Sequence, residues 1–395
     1  MSKTGFRMNE IKHDPMYRYL TVLTIASMLG FQTWQTLFNN FAVDVAGLQG
    51  FHVGIIQGVR ELPGFLALLA IFIIRIIKEH KLSALSILSL GVGLAITGFF
   101  PSFYGLMLTT LLLSFGFHYY ETTNQSLTLQ YFDQNKSPWV FGKFRSYGAA
   151  SNIAAGVIIF LSSTILNFKQ IYLLMGVAVF ALAIWAFLQN PIRTDIVLQQ
   201  KKMILRRKYW LYYVLTFLAG ARRQIFTVFA VFLLVKHYGY TVQEITVLFI
   251  INNTVNFFLS PAIGRAIIRL GERKILTLEY SAIFFIFLAY AFIQSALIAG
   301  ILYILDHIFF NFSIAVRTYF QKIGDPRDIA PTMAVGFTIN HLAAVVIPVF
   351  GGMLWMVDYR IPFLAAAGLS IISLVMTRFM KTSLVPKVKT IDPSI

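Results

Sequence analysis

The sequence predicts an all-α integral membrane protein, with twelve transmembrane helices in two parallel six-helix repeats around a central cavity. Composition, the spacing of apolar runs and an internal repeat carry that expectation. The 395 residues are 57% hydrophobic and only 12% charged, with a mean hydropathy of +0.72. A soluble domain carries about 25% charged residues and could not keep this much apolar surface out of water. Cysteine is absent, which removes disulfides and thiolate metal sites. The stretch from Met1 to Tyr17 is polar and shows no secretory h-region, so the first apolar run is expected to remain a permanent span.

In chain order, apolar runs long enough to cross a bilayer fall near 18–43, 53–74, 82–100, 104–127, 141–164 and 170–188, then 209–236, 243–267, 276–295, 297–320, 331–356 and 361–380. Pro138, Pro331 and Pro362 stand at or just before the starts of the fifth, eleventh and twelfth runs, where a missing N–H costs nothing. The longest connector holds Lys201, Lys202, Arg206, Arg207 and Lys208. It divides the chain into an N-terminal half (1–188), a basic linker (189–208) and a C-terminal half (209–395).

The basic residues give the orientation. Of 33 Lys and Arg, 27 fall in segments on the side of the termini and the linker, Arg145 and Arg317 among them. Only Lys169, Lys236 and Arg360 lie in the opposite loops. That bias predicts both termini and the linker in the cytoplasm, for a multi-pass protein of a bacterial-type inner membrane. It also accounts for the net charge of +17 without nucleic acid. The remaining three, Arg60, Arg222 and Arg223, lie at membrane depth. A charge there costs about 2.5–3.5 kcal/mol even on the lenient insertion scale, so each needs a partner, water or a ligand.

A shift of 188 aligns Tyr131 with Tyr319, Phe132 with Phe320, Pro138 with Pro326, Gly148 with Gly336 and Asn152 with Asn340, without a gap. Matches of Val and Ile are cheap between membrane helices; matches of Pro, Gly and Asn are not. The second half therefore reads as a diverged parallel copy of the first.

Twelve spans, a basic central linker and a half-length parallel repeat resemble the major facilitator superfamily. The connector after the eighth span resembles that family's loop signature, Gly-x-x-x-Asp-Arg-x-Gly-Arg-Lys, through Gly264, Arg269, Gly271 and Arg273. Ile268 stands where the signature has its acid and Glu272 where it has an Arg, and the first-half counterpart, Ile74 to Lys81, lacks both glycines. The resemblance implies a gating role for the 264–274 loop. It also implies helices 1, 2, 4, 5, 7, 8, 10 and 11 around a cavity, with 3, 6, 9 and 12 outside. The residues agree: the third, sixth and twelfth spans carry no Asp, Glu, Lys, Arg, His or Asn in their interiors, and the ninth has only Glu279 and Gln294, near its ends.

Several polar groups at membrane depth are candidate site residues. Gln32, Gln35 and Asn39 follow i, i+3, i+7, which makes one amide stripe suited to a neutral or zwitterionic ligand. Arg60 and Glu61 are adjacent, point about 100° apart, and are expected to pair with other helices. His118 and Glu121 share a face of the fourth span; Glu121 is the candidate proton carrier and His118 its relay partner. Asp306 and His307 on the tenth span overlay His118 and Tyr119 under the 188 shift, which suggests a second coupling cluster. Asn256, Asn311 and Asn340 are further candidate substrate contacts, whereas His341 reads as a packing residue. A shift of 190 sets Arg222 against Gln32, so Arg222 is expected in the cavity and Arg223 against an acid on a neighbouring helix.

No phosphate loop, metalloprotease helix or nucleophile elbow appears, and no enzyme activity is expected. No metal-ligand spacing supports a zinc site from His118, His307 and His341, so neither metal nor cofactor is expected. The reading is a monomeric secondary active transporter, working by alternating access, that couples uptake or exchange of a small organic anion or zwitterion to protons. A multidrug or metabolite efflux antiporter is the alternative; the antiporter glycine pairs are missing from Gly148–Gly156. A receptor that kept a transporter fold is a second alternative, which the lack of a long soluble extension disfavours.

Overall fold

The computed structural model describes residues 11–381, and its long elements are all helices. The first six are α1 (Pro15–Asn40), α2 (Gly50–Phe65), α3 (Glu79–Thr97), α4 (Phe103–Tyr131), α5 (Ser137–Ser162) and α6 (Phe168–Leu188). After the linker come α7 (Arg207–Lys236), α8 (Val242–Leu270), α9 (Glu272–Phe292), α10 (Ala296–Ile323), α11 (Ile329–Val357) and α12 (Arg360–Thr377). Among the described residues, nine helices are long and apolar enough to cross a membrane, and α1 and α4 are not among them. α1 and α4 carry the amide stripe and the His118–Glu121 face, so the polar residues that lower their hydropathy include candidate site residues.

The helix ends are chemically legible. The Asp14 carboxylate accepts from the Met16 and Tyr17 amides at the start of α1, and Thr241 with Glu244 makes a reciprocal cap on α8. Gly271, between α8 and α9, has φ 83°, a conformation that a side chain disfavours. This is why the signature loop needs a glycine at that position.

Three helices are interrupted at mid-span. Pro63 lies inside α2, which tightens into a 3₁₀ turn at Leu66–Leu69 and continues to Ile73; the Leu68 amide donates to the Thr338 hydroxyl of α11 instead. The backbone of α7 widens into a π turn at Ile225–Ala230, directly after the arginine pair. In α10 a 3₁₀ turn spans Asn311–Ser313. Broken backbone at membrane depth is tolerated only where protein or a cavity surrounds it. The three breaks therefore mark the interior rather than the lipid face.

The first six helices bury a core around Leu20, Trp34, Leu90, Tyr120 and Tyr172. The last six bury one around Tyr212, Leu215, Tyr280 and Phe320, and another around Phe226, Phe287, Tyr290 and Phe363. The halves meet most closely where α5 crosses α8. A Cβ on Gly264 would lie 2.4 Å from the Pro138 carbonyl oxygen, and one on Gly142 would lie 2.4 Å from that of Ser260. Only glycine permits that backbone approach, which explains the first glycine of the loop signature.

Polar contacts between the halves run from the linker end to mid-span. The Gln321 amide donates to the Leu129 and Phe132 carbonyls at 2.7 and 2.6 Å, and its oxygen accepts from Ser137 at 2.5 Å. Further along, Ser146 donates to the Phe257 carbonyl at 2.6 Å and Asn152 to Asn253 at 3.0 Å. The linker is pinned to both halves: Arg193 to Asp14 at 2.9 Å, and Arg206 to the fully buried Asp328 at 2.8 Å. Toward the other end, Gly54, Gly58, Gly156 and Gly352 have nothing within 4 Å of a Cβ position. The halves are thus held together at the linker end.

Candidate functional site

The adjacent arginines of α7 part company, and in the opposite sense to the sequence expectation. Arg222 is only 4% exposed and turns toward α9 and α12. Its guanidinium lies 3.9 Å from Glu279, donates to the Ser373 hydroxyl and stacks 4.4 Å over the Tyr280 ring. Glu279, placed by its sequence position near a span end, is 2% exposed and is the counter-charge of Arg222. Asp306 lies in the same neighbourhood. It lines, with Arg222, Arg223 and Glu279, a cavity of about 10 Å³, enough for one water. Arg222 is therefore neutralised among second-half helices, and Asp306 belongs with it rather than with a coupling cluster beside His118.

Arg223 faces the first half. It feels the charges of Glu61, Arg317, Arg60 and Glu121. Glu121, on α4, is surrounded in turn by Arg317, Arg145 and Arg223. Two of these were counted from sequence as cytoplasmic. Arg145 is the ninth residue of α5, about 12 Å along the helix at 1.5 Å per residue, and Arg317 is six residues from the end of α10. Both helices run deeper than their apolar cores suggested. The two arginines stack crosswise between the halves: Arg145 over Phe310 at 5.3 Å, and Arg317 over Phe141 at 5.8 Å. Among the described residues none of Arg145, Arg223 and Arg317 makes an ion pair within 4 Å, and one guanidinium nitrogen of Arg145 is buried without a hydrogen-bond partner.

Glu61 and Arg60 pair with each other rather than with other helices: both Arg60 Nε and Nη2 donate to one Glu61 oxygen, at 3.2 and 2.5 Å. Two adjacent side chains on a helix can meet when both are long and bend along the axis. The Arg60 guanidinium also lies 5.6 and 5.4 Å from the rings of Phe31 and Trp34 on α1. Beside this pair stand His118 of α4 and His341 of α11, their ring centroids 5.1 Å apart. His118 accordingly associates with Glu61 and His341, and the expected His118–Glu121 relay does not form. No spacing in the sequence could have shown this cluster, because its members come from three helices.

The other candidates scatter. Asn256, His307 and Asn311 form one chain of hydrogen bonds between α8 and α10, with Asn256 2.7 Å from the His307 ring and Asn311 2.5 Å from Asn256. Asn340 donates to the Thr216 carbonyl at 3.1 Å and packs against Gly220, so it fastens α11 to α7. Gln32 donates to Thr36 at 3.1 Å, while Gln35 and Asn39 are exposed on α1 toward the end opposite the linker. In the 264–274 loop Arg269 and Arg273 are exposed, and Glu272 pairs with Lys322 at 2.7 Å.

The family model of the major facilitator superfamily matches residues 20–327. The chain belongs to the major facilitator superfamily. It is a multi-pass membrane protein with a transporter fold, not an enzyme. Its structure is similar to that of the fucose:proton symporter FucP of E. coli, with a TM-score of 0.74, 12% identity, and coverage of 93% of this chain and 98% of that one. It is also similar to the human organic anion transporter MFSD10 (TETRAN), with a TM-score of 0.73, 11% identity, and coverage of 92% and 99%. A bacterial homologue of the iron transporter ferroportin in the outward-facing state gives a TM-score of 0.73 at 12% identity, with coverage of 92% and 98%. At these identities the likeness is one of fold. A sequence search of curated proteins gave no match.

Proposed function

We propose that this superfamily member is a secondary transporter of a small organic anion, moved by alternating access of the two halves and coupled to protons through Glu121. The observation that carries the reading is the gathering of Arg145, Arg223 and Arg317, from three helices of both halves, around one carboxylate. Three guanidiniums share Glu121, and none of them has an ion pair of its own within 4 Å among the described residues, so their positive charge is incompletely balanced at membrane depth. Such an excess is tolerated where a ligand supplies the balancing charge. A guanidinium is a planar fork that binds a carboxylate or phosphate through two parallel hydrogen bonds, so the arrangement suits an anion with one or two such groups.

Coupling follows from competition. When the substrate's anionic group takes the arginines, Glu121 loses their counter-charge and binds a proton; when the substrate leaves, the arginines recapture the carboxylate and the proton goes. Substrate and proton then travel together. The polar strip of Gln35 and Asn39 leads toward this centre from the end opposite the linker. With the linker placed in the cytoplasm by the charge bias, the closed end faces inward and substrate enters from outside. Proteoliposomes test the reading. An inward proton gradient should drive accumulation of a labelled mono- or dicarboxylate, and an imposed pH gradient of opposite sign should drain it. Binding without flux, or flux indifferent to pH, contradicts it.

A further inference from the structure

We propose that Glu61, His118 and His341 form a site for one divalent transition-metal ion, zinc-like in its ligand preference, that ties the first half of the molecule to the second. The inference is independent of the anion reading above. One ligand atom from each of the three side chains lies within 4.8 Å of the others. His118 and His341 are 4% and 3% exposed. Both rings fit into a notch made by Gly64, one turn beyond Glu61 on α2. A Cβ there would lie 2.4 Å from Cδ2 of His341 and 2.8 Å from Cδ2 of His118. The only side chain small enough to admit both imidazoles stands where they converge.

The hydrogen bonds settle which nitrogen of each ring is free. Nδ1 of His341 lies 2.9 Å from the Phe337 carbonyl oxygen one turn back, which can only accept, so Nδ1 carries the proton. Nδ1 of His118 stands in the same relation to the Ser114 carbonyl oxygen, at 2.9 Å. The Ser114 hydroxyl donates to the Arg60 carbonyl at 2.5 Å, so its oxygen can only accept from that same ring nitrogen. Both Nε2 atoms therefore present lone pairs. Glu61 receives both Arg60 hydrogen bonds on Oε1, which leaves its other oxygen as an acceptor. Three electron-pair donors converge in a nearly dry place. A metal-ligating histidine typically has its second ring N–H held by a carbonyl in this way.

Two neutral imidazoles and one carboxylate suit zinc, cobalt(II), iron(II) or manganese(II), and not calcium or magnesium, which take oxygen. Bonds of about 2.0–2.2 Å to a tetrahedral ion would set the ligand atoms about 3.3–3.6 Å apart. The present separations of up to 4.8 Å must therefore close by about 1 Å. Because His341 belongs to the second half and the other two ligands to the first, that closure draws α11 onto α2 and α4. Arg223 acts on both histidines and Arg60 on His118. Their charge opposes a bare cation and favours an anionic group as the fourth ligand.

Cobalt(II) chloride, added to the purified full-length protein, provides the probe through its visible d–d bands. The expected result is one cobalt per chain, displaced by zinc and not by magnesium. His118→Ala and His341→Ala should each weaken binding at least tenfold, whereas His237→Ala, at an exposed position on the far side, should leave it unchanged. Zinc should raise the unfolding temperature of the wild type and not of His341→Ala. Thermal unfolding without metal identifies any variant that fails to fold, and the wild-type stoichiometry stands apart from all of them. No stoichiometric cobalt on folded wild-type protein overturns the proposal, as does a folded His341→Ala that binds like wild type or a His237→Ala that does not bind.

Discussion

Arg222 and Arg223 are neighbours in sequence and opposites in surroundings. Arg222 is enclosed by Glu279, Ser373 and Tyr280, all on the outer helices α9 and α12 of the second half. Arg223 looks across to the first half, where it shares Glu121 with Arg145 and Arg317 and Glu61 with Arg60. One region encloses its cation completely: Arg222 has two acids, Glu279 and Asp306, a hydroxyl and an aromatic face, with room for a single water. The other holds more cations than acids and spans both halves. Buried charges that are paired serve the fold, and buried charges left in excess await a ligand or a movement.

The largest expected effect lies in the paired region. Glu279→Ala strands a buried guanidinium and should destabilise the protein by about 3–5 kcal/mol. Replacing all three charged groups, Arg222→Met with Glu279→Leu and Asp306→Asn, should restore most of that, since no charge is left unpaired. Thermal unfolding in one detergent compares the three. A Glu279→Ala protein as stable as wild type would erase the contrast between the two regions.

Glu121→Gln probes the other region, and its readout is coupling rather than stability. It should abolish proton-driven accumulation in proteoliposomes, by an order of magnitude or more, while counterflow of substrate continues. Normal accumulation would reduce Glu121 to a fixed partner of its arginines. A smaller effect belongs to the closed end. Gln321→Ala removes three hydrogen bonds between the halves, each worth about 0.5–1.5 kcal/mol. Because the chain has no cysteine, Ser146→Cys can be introduced alone as a reporter. Its labelling from the linker side should speed up several-fold when Gln321→Ala is added. An unchanged rate would mean that these bonds do not hold the halves shut.

Much of the architecture was legible because lipid imposes length. Twelve apolar runs became twelve helices, with ends within a few residues of those read from the sequence. The loop signature also held physical content: Gly264 admits the Pro138 backbone, and Gly271 takes a positive φ. The site was less legible, for three reasons. Hydropathy trims a helix to its apolar centre, so α5 reads as starting at 141 although it starts at Ser137, and Arg145 was left at the rim. Arg317 was lost in the same way. Repeat alignment chose Arg222 for the cavity, yet a register of 190 residues cannot fix a rotation of about 100° within α7. The cluster of Glu61, His118 and His341 depends on how three helices pack, which no spacing within one of them encodes.

In the proposed transport cycle Arg223, and not Arg222, is the anion contact. It is tested most directly by Arg222→Lys and Arg223→Lys measured side by side, for thermal stability and for affinity toward a panel of mono- and dicarboxylates. Arg223→Lys should fold like wild type and bind the best ligand about tenfold or more weakly, since one charge-assisted hydrogen bond is worth about 1.5–3 kcal/mol. Arg222→Lys should lose stability and keep its affinity once folded. Undiminished affinity in folded Arg223→Lys, or a loss of affinity confined to Arg222→Lys, would contradict the account.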